Sequence, residues 1–198
     1  MPEDGVLALK PTNLNYEEAA VIPAGGITAL GIIKMANLEQ GQKILIYGAS
    51  GSVGAFSVQL AKAHGAEVTG VCSTSSMELV KSLGADQVID YTQEDFSQSS
   101  ITYDVIFDAV GLYRGNYKKA LKDNGIYLNV DPASDKVDKK DVTSLLKELK
   151  DLAEAGKLNP VIDRSYPWEQ IVEAHRYVEK GHKKGNVAII ISNQISSP

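Results

Sequence analysis

Lys43-Ile-Leu-Ile-Tyr-Gly-Ala-Ser-Gly-Ser-Val-Gly54 is the stretch that decides how this chain folds. It reads as a buried strand over Lys43–Tyr47, a glycine-rich turn, and the first residues of a helix. Such a turn lets backbone N–H groups and a helix N-terminus face a pyrophosphate, which points to a dinucleotide site. Gly51 allows backbone to approach phosphate with no Cβ in the way, and Gly54 allows the helix to pack closely on the strand. The first glycine of the usual G-x-G-x-x-G is Ala49 here, with Gly48 one step earlier. A lone glycine pattern is weak, but the flanks are right: residues 55–63 place Phe56, Leu60 and Ala63 on one helical face. The plain alternative is a strand-to-helix turn with a purely structural role.

Working outward, strand and helix patterns alternate. Glu67–Cys72 is strand-like, and 77–83 forms a short helix that Gly84 can end. Gln87–Asp90 is a third strand, 103–109 a fourth, and 126–130 a fifth, with 117–122 read as helix. Short apolar strands separated by helices imply an α/β, doubly wound parallel sheet covered on both faces. Right-handed crossovers then gather Ala49, Ser50, Gly51, Ser52, Val53, Ser73, Thr74, Tyr91, Val110 and Gly111 on the C-terminal edge, where such sheets bind ligands.

The flanks are less regular. Residues 6–9 read as a strand, Asn15 as the cap of a helix from Tyr16, and 23–28 as an interruption before a second helix ending near Met35. Beyond a polar 131–138, a charged helix spans Lys139–Glu154 with Leu145, Leu146, Leu149 and Leu152 as its apolar stripe. A strand at 161–163, a helix at 167–180 and a strand at 186–191 follow. The basic run Lys180-Gly-His-Lys-Lys184 reads as a solvated helix end, with a phosphate contact as the alternative.

Composition narrows the classes. A chain of 198 residues with 43% hydrophobic and 23% charged residues suits one ordinary soluble domain. Its net charge of −5 argues against nucleic acid as the partner, and no run of 18 apolar residues offers a membrane span. Cys72, the single cysteine, excludes an internal disulfide and agrees with a cytoplasmic setting. No Tyr-x-x-x-Lys pair, G-x-x-x-x-G-K-[ST] loop or G-x-S-x-G elbow occurs, and His64, His175 and His182 lack metal-ligand spacing. No metal site and no general acid or base stands out.

The end of the second strand bears on cofactor choice. An NAD site usually places an acid there to bond the ribose 2′-OH. Here the residues are Cys72-Ser73-Thr74, and the nearest acid is Glu78. Small hydroxyl residues leave room and donors for a 2′-phosphate, which favours NADPH over NADH.

GGITAL (25–30), GASGSVG (48–54), LVKSLGAD (79–86), VIDY (88–91), YDVIFDAVG (103–111) and the segment 156–187 together resemble the medium-chain dehydrogenase/reductase superfamily, in its zinc-independent quinone oxidoreductase branch. The resemblance implies a Rossmann coenzyme domain and hydride transfer from NADPH to a quinone or activated alkene. It carries Thr28 to the nicotinamide, Gly51, Ser52 and Val53 to the pyrophosphate, Ser73 and Tyr91 to the adenosine phosphate, and Val110 with Gly111 to the ribose and ring. Thr28 bonding a helix carbonyl, and Tyr91 serving as a half-buried core aromatic, are the bland alternatives.

Two departures qualify these expectations. The family has an N-terminal catalytic barrel, and this sequence resembles a coenzyme domain, about 22–156, with flanks that would lead to or join that barrel. A further strand after the fifth looks deleted, and residues after about Leu158, which in the family return towards the barrel, are expected to rearrange or to dock on a partner chain. A truncated binding module without turnover is therefore the alternative to an enzyme. The family's basic residue after the second strand is replaced by Ser75 and Ser76, which predicts weak NADPH affinity.

Overall fold

Ile44, Leu45 and Ile46 are fully buried because β1 (Lys43–Tyr47) lies at the centre of a sheet with both faces covered. The computed structural model describes residues 6–111, 115–130 and 139–191. Around β1 stand β2 (Glu67–Cys72), β3 (Gln87–Asp90), β4 (Tyr103–Asp108) and β5 (Leu121–Asn129), all parallel, in the order β3-β2-β1-β4-β5. The chain winds outward from β1 to β3, then returns beside β1 as β4. That reversal opens a crevice at the strands' C-terminal ends.

One face carries helices. These are α2 (Ile22–Ala36), α3 (Ser52–Ala63), α4 (Met77–Ser82) and α5 (Lys139–Glu154). Leu30, Ile33, Ile44, Ile46, Phe56, Leu60, Phe107 and Leu149 form the core beneath them. The opposite face, centred on Leu45, Val71, Tyr103 and Ile106, is covered differently. Among the described residues its two crossovers carry only 3₁₀ turns, Phe96–Gln98 and Tyr117–Lys119.

Five sequence expectations change, one of them the strand expected over 161–163, which runs Ile162–Pro167 because it pairs along its length with 186–190. The helix expected over 117–122 is that single 3₁₀ turn, and β5 begins at Leu121 rather than 126. Leu121 pairs with Tyr103, and a bulge after Tyr103 restores register, so strand pairing overrides the local helical pattern. Residues 6–9 are irregular. Pro23 does not interrupt a helix: it occupies the second position of α2, where its missing N–H is not needed, and the break falls at Val21. The C-terminal helix is shorter than expected, a 3₁₀ turn at Trp168–Gln170 and then α6 (Ile171–Glu179). The polar stretch 131–138 lies outside the described residues.

Asn15 caps α1 (Tyr16–Ala20) as expected, in a reciprocal capping box with Glu18. Beyond Leu158, Asn159 and Gln59 exchange two hydrogen bonds through the Gln59 side-chain amide. The chain then forms β6 (Ile162–Pro167) and β7 (Asn186–Ile190), a separate parallel pair. Residues 159–191 thus bond to the core through Asn159 and Gly185.

The N-terminal segment is held by charge. The Glu154 carboxylate accepts from Lys150 and from the Thr12 backbone N–H at 2.9 Å. The Lys150 hydrogen bond, aided by Thr12, holds this carboxyl down at about 2. A group lowered in the folded state stabilises above its unfolded value, about 4.3, and that contribution is lost as pH falls towards 2. The Thr12 amide should therefore keep its hydrogen-exchange protection at pH 5 and lose it progressively below pH 4. In Glu154→Gln that pH dependence should vanish, as amide exchange followed by NMR will show.

Candidate coenzyme site

The glycine turn is built by close approach. Gly48 takes φ +78°, a conformation that disfavours side chains, and a Cβ there would meet Val110 Cγ2 at 2.4 Å. Gly48, not residue 49, therefore supplies the conformational freedom of the turn. Ala49 is fully buried, and its methyl fits against Gly70, where an added Cβ would lie 3.1 Å away. The N–H groups of Gly48 and Ala49 both donate to the Val71 carbonyl, tying the turn to the end of β2. At Gly54 a Cβ would sit 2.2 Å from the Gly48 carbonyl oxygen, so only glycine lets α3 start this close to β1.

Gly51 differs from both. Its φ of −78° and ψ of 179° suit any residue, and an added Cβ would meet only the Gly48 carbonyl, at 3.4 Å. It caps α3 without a side chain to accept from the first-turn N–H groups. Ser52 and Val53 are the first two residues of that helix, so their N–H groups have no intrahelical acceptor. The helix dipole adds partial positive charge at the same end. This arrangement suits an anion.

The neighbouring turns converge on it. Val110 packs on Gly48, and the buried Asp108 carboxylate shapes the Val110–Gly111 turn by accepting both backbone N–H groups at 2.9 Å. Gly111 has φ +73°. After β2, the Ser73 and Ser75 hydroxyls lie 3.3 Å apart. Thr74 donates its hydroxyl to Asp90 at the end of β3, so that proton is committed to holding the turn. The Thr74 hydroxyl, with help from Thr92, lowers the Asp90 carboxyl and keeps it ionised. Tyr91 donates its N–H to the Cys72 carbonyl, its ring lies against Tyr47 at 6.2 Å, and half its surface is exposed. Burial, then Asp90, pushes the Cys72 thiol up to about 11, so it is inert as a nucleophile.

Thr28 lies on α2, one turn beyond Gly25, where an added Cβ would strike the Ser52 hydroxyl at 2.4 Å. Its hydroxyl donates to the Ala24 carbonyl at 3.2 Å, the helix-carbonyl bond considered as the alternative.

Three participants escaped the sequence reading. Asp108 and Asp90 stood inside quoted motifs, each an acid at a strand's C-terminal end, but received no role. The third is the 184–186 joint. Gly185 pairs with Gly51 in an isolated parallel bridge, donating its N–H to Ser50 O at 2.8 Å, and Asn186 accepts from the Ser52 hydroxyl. Gly185 has φ +66°, and a Cβ would lie 2.5 Å from the Val161 carbonyl. The Gly-Asn pair after the lysines was its only sequence signal.

Comparison with known proteins bears on this site. A profile described as zinc-binding dehydrogenase matches residues 83–189. The chain is 37% identical over 194 residues to the 2-methylene-furan-3-one reductase of Solanum lycopersicum, covering 94% of this chain and 50% of that protein. It belongs to the medium-chain dehydrogenase/reductase superfamily. Within that superfamily it is also 35% identical to an NADPH-dependent alkenal/one oxidoreductase, chloroplastic, of Arabidopsis thaliana, again covering 94% and 50%. Among solved structures, the quinone oxidoreductase of Coxiella burnetii superposes with a TM-score of 0.83 at 30% identity, covering 93% of this chain and 64% of that one. The chain thus spans about half the length of the curated relatives it matches. Although the profile's description names zinc, the described residues include no group of three or more His, Cys, Asp or Glu that could hold a metal. No helix among them is long and apolar enough to cross a membrane.

The glycine geometry separates structural from binding roles. Gly54→Ala should lose on the order of 1–3 kcal/mol, since its Cβ meets backbone that cannot yield cheaply. Gly51→Ala should stay within about 0.5 kcal/mol of the parent, as for a substitution that meets no crowding. Urea unfolding of the two variants will show whether the order holds.

Proposed function

We propose that this chain is the coenzyme-holding part of an NADPH-dependent oxidoreductase that reduces an activated carbon–carbon double bond of the alkenal, enone or quinone class. One observation carries the reading. An uncapped helix N-terminus, a hydroxyl turn after β2 whose own residues 73–76 include no acid, and the Val110–Gly111 turn converge on one sheet edge. The names of the alkenal/one and furanone reductases support the substrate class.

In this reading Ala49, Ser50, Gly51, Ser52 and Val53 present backbone to the pyrophosphate, and Gly51 keeps its approach open. Ser73 and Thr74 shape the 2′-phosphate pocket with Tyr91 beside it, while Val110 and Gly111 border the ribose and nicotinamide. Thr28 lies towards the nicotinamide end. When bound, NADPH would supply the hydride that reduces the double bond. The protein's contribution is positioning. Residues 22–156 form the coenzyme core of this proposal, and 1–21 and 157–198 are its flanks towards a catalytic domain. Two contacts between flank and core, Thr12 with Glu154 and Gly185 with Ser50, support treating them together. We place the protein in the cytoplasm, in keeping with its buried free Cys72.

Calorimetric titration tests the coenzyme reading. NADPH should bind saturably to the parent, and Gly51→Val should lose that binding while retaining the parent's circular dichroism and melting profile. Absence of parent binding at millimolar NADPH, or loss in the variant only through unfolding, contradicts the proposal. NADPH consumption with a simple enone supports the enzyme; saturable binding without consumption supports a binding module.

A further inference from the structure

The sequence leaves the 2′-phosphate pocket without its expected cation. Positions 73–76 are Ser-Thr-Ser-Ser, and Lys81, further along, pairs with Glu78 at 3.4 Å. A 2′-phosphate carries close to two negative charges near neutral pH, and hydroxyl groups alone are weaker partners than an ammonium.

A lysine from the far end of the chain reaches that turn. Lys184 extends its ammonium to the Ser75 carbonyl oxygen at 2.5 Å, across 109 residues of sequence. Its position is fixed from several sides. Its backbone N–H donates to the Asp163 carboxylate at 3.2 Å, and that carboxylate also accepts from the Tyr177 hydroxyl. The next residue, Gly185, is locked to Ser50 of the phosphate turn. Lys183 turns the other way, its ammonium donating to the Gly185 carbonyl at 2.6 Å. Burial lowers the Lys183 ammonium, with Asp163 opposing that shift, so Lys183 belongs to the joint and not to the pocket.

An ammonium has three donors, and Ser75 takes one. The turn it contacts carries the Ser73 and Ser75 hydroxyls, 3.3 Å apart, and Tyr91 follows β3 next to that turn, its N–H on the Cys72 carbonyl. The Asp90 carboxylate at the same turn accepts from Thr74 and Thr92, and among the described residues it makes no hydrogen bond to the lysine. The 2.5 Å contact to a carbonyl therefore leaves a cation poised over the hydroxyl turn.

We propose that Lys184 is the 2′-phosphate cation of this chain and the residue that makes it prefer NADPH to NADH. The proposal rests on the coenzyme reading of this edge. It moves the phosphate charge from the loop after β2 to the joint before β7. That joint is tied to the pyrophosphate turn through Gly51 and Gly185, so one segment contacts both phosphate-binding loops.

Calorimetric titration of the full chain with NADPH and with NADH tests it. Lys184→Gln should weaken NADPH by about 10- to 100-fold, the range expected for a hydrogen bond to a charged group, and leave NADH within about twofold. Lys184→Arg should retain most of the preference, and Lys180→Gln should leave it unchanged. The parent's NADPH-to-NADH ratio should shrink with added salt, and that of Lys184→Gln should shrink much less. An unchanged ratio in Lys184→Gln overturns the proposal, as does equal weakening of both coenzymes, which would make the lysine a loop brace. Should the parent bind neither coenzyme, the coenzyme reading itself fails; if the parent binds both, only the role of Lys184 is at stake.

Discussion

The approach of α3 to β1 at Gly54 and Gly48 is the constraint from which the rest of the site follows. A carbonyl 2.2 Å from an absent Cβ leaves no room for any side chain. This contact brings the helix N-terminus up against the strand end instead of one side chain away. The Val71 carbonyl then fixes the turn by accepting two successive N–H groups, and Gly51 remains the uncrowded cap. Crowding at 48 and 54 with openness at 51 is the pattern expected of a turn that must hold its shape while leaving space for a ligand.

Around this turn the molecule uses acids to organise loops. Asp108 gathers the Val110 and Gly111 amides, Asp90 gathers Thr74 and Thr92, and Asp163 gathers Lys184 and Tyr177. Each sits at or near a strand end and satisfies donors that a turning backbone would otherwise leave open. The carboxylates are thereby occupied in shaping loops, which leaves the proposed phosphate surface to amides, hydroxyls and Lys184.

Much of this was legible in the sequence where the signal was local. The strands Lys43–Tyr47, Glu67–Cys72 and Gln87–Asp90 are apolar runs bounded by glycine or polar turns, and their bounds are those expected. The helix Lys139–Glu154 also follows its apolar stripe, with Leu145 and Leu149 buried. Signals that depend on distant partners were not legible. Leu121 joins β5 because Tyr103 is there to pair with it, and no window around residue 121 contains that fact. Pro23 looked like a breaker because its place within the first turn of α2 depends on where α1 stops. Lys184 looked like a solvated helix end, since only the tertiary fold carries it to Ser75.

The central claim is that the C-terminal edge of the sheet holds NADPH. Amide chemical-shift mapping during an NADPH titration tests it most directly. The account predicts saturable shifts at Gly51–Val53, Ser73–Ser75, Val110–Gly111 and Lys184, with the opposite edge around Gln42 and Ala66 unmoved. No shifts at millimolar NADPH, or shifts confined to the groove between Gln59, Leu83 and Pro160, would contradict it.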